Sequence, residues 1–148
     1  MQRVYIDTTV PSAFFDGRTP DRQRLTQGFW ERLPSYEAFI SVLVLGEIRD
    51  TPDRDRRENL EDLVGSFSVL AITAEAEILA DEYLQKSAVP GKYRDDALHV
   101  AIAVVHQIPL LVSWNFQHLV NLKARRLINL VNALLGHGQI EIVSPPEL

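Results

Sequence analysis

The sequence predicts an α/β fold, three layers deep, with helices on both faces of a central parallel sheet of about five strands. Short apolar runs of strand length alternate with helical segments along the whole chain. The links between runs are helix-sized, as parallel crossovers require. One run, Leu110-Leu111-Val112, is apolar throughout, as a strand covered on both faces should be.

Val4-Tyr5-Ile6 is the first strand and ends at Asp7; Thr8-Thr9-Val10-Pro11 then puts a proline where a helix can start. From Asp21, read as an N-cap, Leu25, Phe29 and Leu33 recur every four residues and mark a helical stripe that stops at Pro34. Glu37 to Ile40 is the second strand, and Ser41 caps a helix from Val42 to Arg49 that carries Glu47. A helix within Asp53 to Phe67 turns Leu60, Leu63, Val64 and Phe67 inward beneath a charged face. Val69 to Ile72 is the third strand, and Thr73 caps a helix reaching about Ser87 with Ile78, Leu79 and Tyr83 inward.

Pro90-Gly91 marks a turn. The helix from Asp95 is apolar and rich in small residues, so it is expected to be largely buried against the sheet. Leu110 to Ser113 is the fourth strand, and Asn115 opens a short helical turn. A long helix from about Leu122 to Leu135 ends at Gly136, and Ile140 to Val143 closes the sheet before Pro145-Pro146. In such sheets ligands bind beyond the carboxyl ends of the strands, near the point where strand order reverses.

Length and composition bound the rest. At 148 residues, 46% hydrophobic and 24% charged, the chain is expected to be a single domain spanning residues 1–148 with one core. Cysteine is absent, which excludes disulfides, thiolate metal sites and cysteine nucleophiles, so any metal is held by oxygen or imidazole. Residues Met1 to Asp7 hold no apolar stretch of signal-peptide length and no segment approaches a membrane span, so a cytoplasmic location is the expectation. The formal net charge of -5 argues against a nucleic-acid coat protein. Local basic clusters remain: Arg22 and Arg24; Arg54, Arg56 and Arg57; Lys123, Arg125 and Arg126. Solvated helix faces are the plainer reading of each.

The chemistry concentrates in four residues. Asp7 ends the first strand, Glu47 lies on the helix after the second, Asp96 sits in the first turn of the apolar helix, and Asn115 follows the fourth strand. All four belong to one edge of the sheet. Two unit charges ~4 Å apart repel by about 4 kcal/mol at an effective dielectric near 20, a penalty that a hard divalent cation removes. Oxygen donors of this kind suit Mg2+ or Mn2+ better than zinc. A metal so held lowers the pKa of a bound water and neutralises charge on a leaving oxygen, which makes phosphodiester hydrolysis the expected reaction.

Each residue also has a plain reading. Asp7 can satisfy amides of the next helix, Glu47 can be a solvated helix residue, Asp96 or Asp95 can complement a helix dipole, and Asn115 can be a cap. His99 lies three residues after Asp96 and His118 three after Asn115; each is either a metal or phosphate contact or a hydrogen-bonded structural histidine. Thr8 and Ser113 are further candidates to touch substrate or support the ligands. Of Trp114 and Phe116, one is expected in the core and the other is free to stack on a base.

The order Tyr5-Ile6-Asp7-Thr8, Val44-Leu45-Gly46-Glu47-Ile48, Asp96-Ala97-Leu98-His99-Val100-Ala101 and Leu111-Val112-Ser113-Trp114-Asn115 resembles the PIN domain, through nearly the whole chain and most closely its VapC-like members. The resemblance implies a metal-dependent ribonuclease acting on single-stranded RNA, with Asp7, Glu47 and Asp96 at the family's acidic positions. It also implies Mg2+ or Mn2+ as cofactor, a homodimer, and, for toxin members, an antitoxin protein that blocks the site. Many relatives carry another Asp after the fourth strand. Asn115 stands here, which implies one firm metal position and a second that fills only when substrate phosphate supplies ligands.

Other acidic α/β folds fit less well. A receiver domain needs an Asp after the third strand and a Lys after the last, and Ala71-Ile72-Thr73 and Ile140 to Val143 supply neither. A haloacid-dehalogenase-like phosphatase needs a second Asp two residues after the first, where Thr9 stands. The remaining rival is a domain of the same architecture that binds RNA or a protein partner without cutting.

Overall fold

The computed structural model describes all residues, 1–148. Five strands form one sheet: β1 (Gln2–Ile6), β2 (Tyr36–Ser41), β3 (Ser68–Leu70), β4 (Leu110–Val112) and β5 (Glu141–Val143). Their order is β3-β2-β1-β4-β5 and every pairing is parallel. Seven α-helices provide the connections: α1 (Thr9–Phe14), α2 (Pro20–Arg32), α3 (Val42–Arg49), α4 (Arg54–Val64), α5 (Ala74–Gln85), α6 (Arg94–Val105) and α7 (Leu122–Leu134). The predicted fold class is the observed one. Strand order reverses between β1 and β4, because the chain builds outward through β2 and β3 on one side before it returns to β4 on the other.

Four of the helix starts have side-chain caps that the sequence makes possible. Ser41, Asp53, Thr73 and Asn121 each accept from the backbone N–H three residues on, at 3.4, 3.2, 3.1 and 2.8 Å. At the other end of α7, Gly136 takes φ +79°, a left-handed conformation in which a Cβ is strained. Buried apolar side chains form one continuous cluster. Its centre is α6, where every residue from Ala97 to Val104 is buried, as its composition predicts.

Several expectations about which residues face inward need correction. Helix α2 begins at Pro20 with Thr19 at the cap position, so Asp21 is a first-turn acid and caps nothing. Its inner face carries Thr26 and Phe29, while Leu25 is exposed. The reason is polar: the buried Trp114 indole N–H donates to Thr26 Oγ1 at 2.8 Å, and the hydroxyl donates onward to Arg22 O. On α5 the buried positions are Ala76, Leu79, Ala80 and Tyr83, an i, i+3, i+4, i+7 stripe that leaves Ile78 in solvent. Leu63 and Phe67 are only partly buried, and α4 stops at Val64.

Candidate active site

The backbone of Asp7 continues the sheet past β1: its N–H donates to Val112 O at 3.2 Å. The side chain therefore leaves the chain at the β1–β4 boundary, where strand order reverses. Asp7 is 2% exposed. Thr9, two residues on, donates to Asp7 Oδ1 from both its backbone N–H, at 3.1 Å, and its hydroxyl. The same Thr9 hydroxyl accepts from the Trp114 N–H at 2.8 Å, which ties the start of α1 to the segment after β4. Burial pushes the Asp7 carboxyl above the usual range; the charge of His99 and hydrogen bonds from Ser113 and Thr9 oppose this without cancelling it.

Glu47 is half-buried on α3. Its Oε1 accepts from the Thr8 hydroxyl and from His99 Nε2, both at 2.6 Å. On the other side of the imidazole, His99 Nδ1 meets the Tyr5 hydroxyl at 2.7 Å, and that hydroxyl meets Ser41 Oγ at 2.8 Å. A continuous chain thus runs from the cap of α3 through Tyr5 and His99 to Glu47. Burial raises the Tyr5 hydroxyl well above the ordinary tyrosine range. Burial alone disfavours charged His99, yet the Glu47 bond and the charges of Asp7, Glu47 and Asp96 raise it overall. Glu47 shows the mirror image: burial works upward, and His99 with Thr8 hold it below its ordinary value. All three carboxylates therefore lie within electrostatic reach of one imidazole.

Asp96, in the first turn of α6, bonds His118 Nδ1 through Oδ2 at 2.8 Å. His118 is itself buried, with its ring centroid 3.9 Å from that of Tyr93. The His118 N–H donates to Asn115 Oδ1 at 3.0 Å, and the Asn115 N–H donates to Ser113 Oγ at 2.9 Å. The side-chain carbonyl of Asn115 thus holds the turn it opens. Asp95, the neighbour of Asp96, is exposed. Trp114 is buried and Phe116 is 47% exposed, which assigns the core role to the first.

No three acidic or imidazole side chains are drawn together closely enough to hold an ion as they stand. Each carboxylate has its own donors: Thr9 at Asp7, Thr8 and His99 at Glu47, and His118 at Asp96. The donor set nevertheless fits a hard cation. Glu47 Oε2 and Asp96 Oδ1 take no hydrogen bond from the protein, and no buried polar side-chain atom lacks a partner, so these oxygens lie open. Asp7, Glu47 and Asp96 are the residues that could hold Mg2+ or Mn2+.

The model of the PIN domain family matches residues 4–117, more than half of the chain, and the match takes in Asp7, Glu47, Asp96 and Asn115. The chain belongs to the PIN domain family. No curated protein matches by sequence. Among solved structures, the PIN fold seen here is similar to VapC20 of Mycobacterium tuberculosis, described as a sarcin-ricin loop cleaving toxin, at a TM-score of 0.59 and 20% identity over 78% of this chain and 92% of that one. A toxin-antitoxin complex from Klebsiella pneumoniae matches at 0.61 and 16% identity, over 82% and 93%. VapBC-5 of Mycobacterium tuberculosis, from the VapBC toxin-antitoxin family, matches at 0.54 and 16% identity over 97% and 99%. At these identities the likeness establishes the fold.

Sequence reading passed over four supporting residues of this PIN site: Tyr5, Thr9, Ser41 and Tyr93. Two had a signal. Tyr5 shares a strand face with Asp7 by the two-residue alternation, and Thr9 stands where an Asp two residues earlier finds its turn donor. Ser41 was legible as a cap but not as a partner of Tyr5, and nothing local pointed to Tyr93 over His118.

Proposed function

We propose that this PIN domain is a metal-dependent endoribonuclease that hydrolyses phosphodiester bonds of single-stranded RNA, and that it is the toxin of a type II toxin-antitoxin pair. The observation that carries this reading is the set of three carboxylates at the strand-order reversal, each within reach of His99 and two with an oxygen left open. Membership of the PIN family supports it, as does likeness to a protein described as a sarcin-ricin loop cleaving toxin. When bound by Asp7, Glu47 and Asp96, Mg2+ or Mn2+ supplies an acidified water and charge neutralisation at the phosphodiester.

The chain's own residues do the positioning. Thr9 fixes Asp7, and His99 with Thr8 fixes Glu47 through one oxygen, which leaves the other for a ligand. His118 does the same for Asp96. Asn115 has its carbonyl committed to the turn, so its amide N–H is the group it can offer a phosphate oxygen. Ser113, against Asp7 and Asn115, keeps these two in register. A homodimer and an antitoxin that covers the acidic edge belong to the same proposal. No helix is long and apolar enough to cross a membrane.

The test incubates purified protein with mixed single-stranded RNAs in Mn2+ or EDTA, beside Asp96→Asn. Cleavage that needs Mn2+ and is lost in the variant supports the reading. Cleavage that persists in EDTA or in the variant, or none at all, overturns it; RNA binding without cleavage would leave the non-cutting PIN domain in its place.

A further inference from the structure

We propose that the groove beside the acidic edge is a nucleotide subsite, in which Arg22 and Arg56 grip backbone phosphate of single-stranded RNA while Phe116, next to Arg22 and Trp114 outside the groove lining, stacks on a base. This rests on the ribonuclease reading and extends it from the reacting bond to the strand that flanks it.

The groove is an open cavity of about 490 Å³ continuous with Thr8, Thr9 and Glu47. That volume is within the range of small-ligand sites. Three arginines line it, and their charges are not equivalent. Arg18 is held bidentately by Asp16, at 2.9 and 3.2 Å, so its charge is already compensated. Arg22 and Arg56 form no ion pair. Arg56 donates one N–H to Ser12 O at 3.0 Å, which pins the guanidinium to the wall and leaves its other donors free.

Arg22 is positioned by aromatic rings. Its guanidinium carbon lies 4.9 Å from the Trp114 ring centroid and 5.8 Å from that of Phe116. Cation–π contact orders the side chain while its in-plane N–H groups stay available for a phosphate. The platform is rigid: Trp114 is buried with its indole bonded to Thr26, and Phe116 packs edge-on to it at 5.9 Å and 62°.

An exposed aromatic on a turn held by Asn115, 5.8 Å from the Arg22 guanidinium and beside a groove that Arg56 also lines without an ion pair, fits a nucleotide better than an acidic peptide. A base offers a π-face to Phe116 and a phosphate offers oxygens to the arginines, whereas an Asp or Glu side chain offers only the second. The net charge of -5 adds weight, because a protein that repels polyanions overall needs local cations to draw a strand in.

Cleavage of a fluorescent single-stranded RNA in Mn2+ tests this with full-length Arg22→Gln, Phe116→Ala and, as control, Arg24→Gln. Arg24 lies on the same helix, is exposed and is paired with Asp21 at 3.0 Å, so its loss changes net charge without touching the groove. Arg22→Gln and Phe116→Ala should each raise KM about tenfold with little change in kcat, as expected for loss of uniform binding. Arg22→Gln should also flatten the dependence of log KM on log salt by about 0.7. Arg24→Gln should do neither. If wild type cleaves and all three variants match it in KM, the subsite is overturned while the nuclease stands. If the variants keep wild-type KM but an acidic peptide inhibits only proteins that retain Arg22, the groove is a peptide site and the proposal falls. If wild type neither cleaves nor binds RNA, the failure lies with the ribonuclease reading itself.

Discussion

Replacing Asp7 by Asn should stabilise the metal-free protein while abolishing its response to metal. Asp7 is 2% exposed, and its carboxyl is raised above the usual range chiefly by burial. An acid whose folded pKa is raised contributes favourably while protonated, and loses that contribution as pH climbs from the unfolded value through the folded one. At neutral pH the ionised carboxylate is therefore a liability of the metal-free fold. Asn keeps Oδ1 to accept both donors of Thr9 and sheds the charge. A buried polar group with incomplete compensation costs about 1–3 kcal/mol. Because Asn also loses the attraction to His99, the lower end, about 1 kcal/mol, is expected, or a rise in Tm of about 2–4 °C for a chain of this size. Thermal melts in EDTA at pH 7 would read it directly. The gain should shrink as pH falls through the raised folded value and vanish below about 3.8, where the carboxyl is protonated in the folded and the unfolded chain alike. In Mn2+ at a hundredfold excess over Kd, wild type should gain about 2.7 kcal/mol and Asp7→Asn almost nothing. A variant less stable than wild type in EDTA at pH 7 would refute the claim that the ionised carboxylate is held at a cost.

Two further outcomes follow from other buried polar groups. Tyr83 and Asn132 are fully buried and bonded to each other, so Tyr83→Phe leaves Asn132 Oδ1 without a donor and should cost about 1–3 kcal/mol in urea unfolding; adding Asn132→Leu should recover most of it, and a double variant worse than the single would contradict this account. In the metal-free protein, His99 is raised and Glu47 lowered, so the His99 contribution is complete below about pH 6.5 and that of Glu47 above about pH 4.5. The Tm difference between wild type and His99→Gln should therefore be largest between those values and shrink on either side; a difference that grows above pH 7 would mean that the imidazole is not bound as a cation.

The elements of the fold were legible because local rules coincide with tertiary ones here. Ser41, Asp53, Thr73 and Asn121 cap helices in the structure as their residue types allow. The apolar helix from Ala97 to Val104 is buried because no other environment suits it. On α2 a tertiary contact overrides the four-residue apolar stripe: Trp114 needs Thr26, so Leu25 turns outward. On α5 the small residues Ala76 and Ala80 take the inner stripe, which leaves Ile78 outside.

The sequence by itself determined an α/β chain with parallel strands and put Asp7, Glu47, Asp96 and Asn115 after strands or at helix starts, since periodicity, caps and crossover length are properties of neighbouring residues. Only the tertiary structure decided their partners. Asp7 is buried beside Thr9, Glu47 shares a proton donor with the chain from Ser41 through Tyr5 and His99, Asp96 faces His118, and Arg22 lies on Trp114. These contacts join residues as far apart as Tyr5 and His99, and no pattern within one segment encodes them. They depend on which strands become neighbours where the order reverses, a property of the whole sheet.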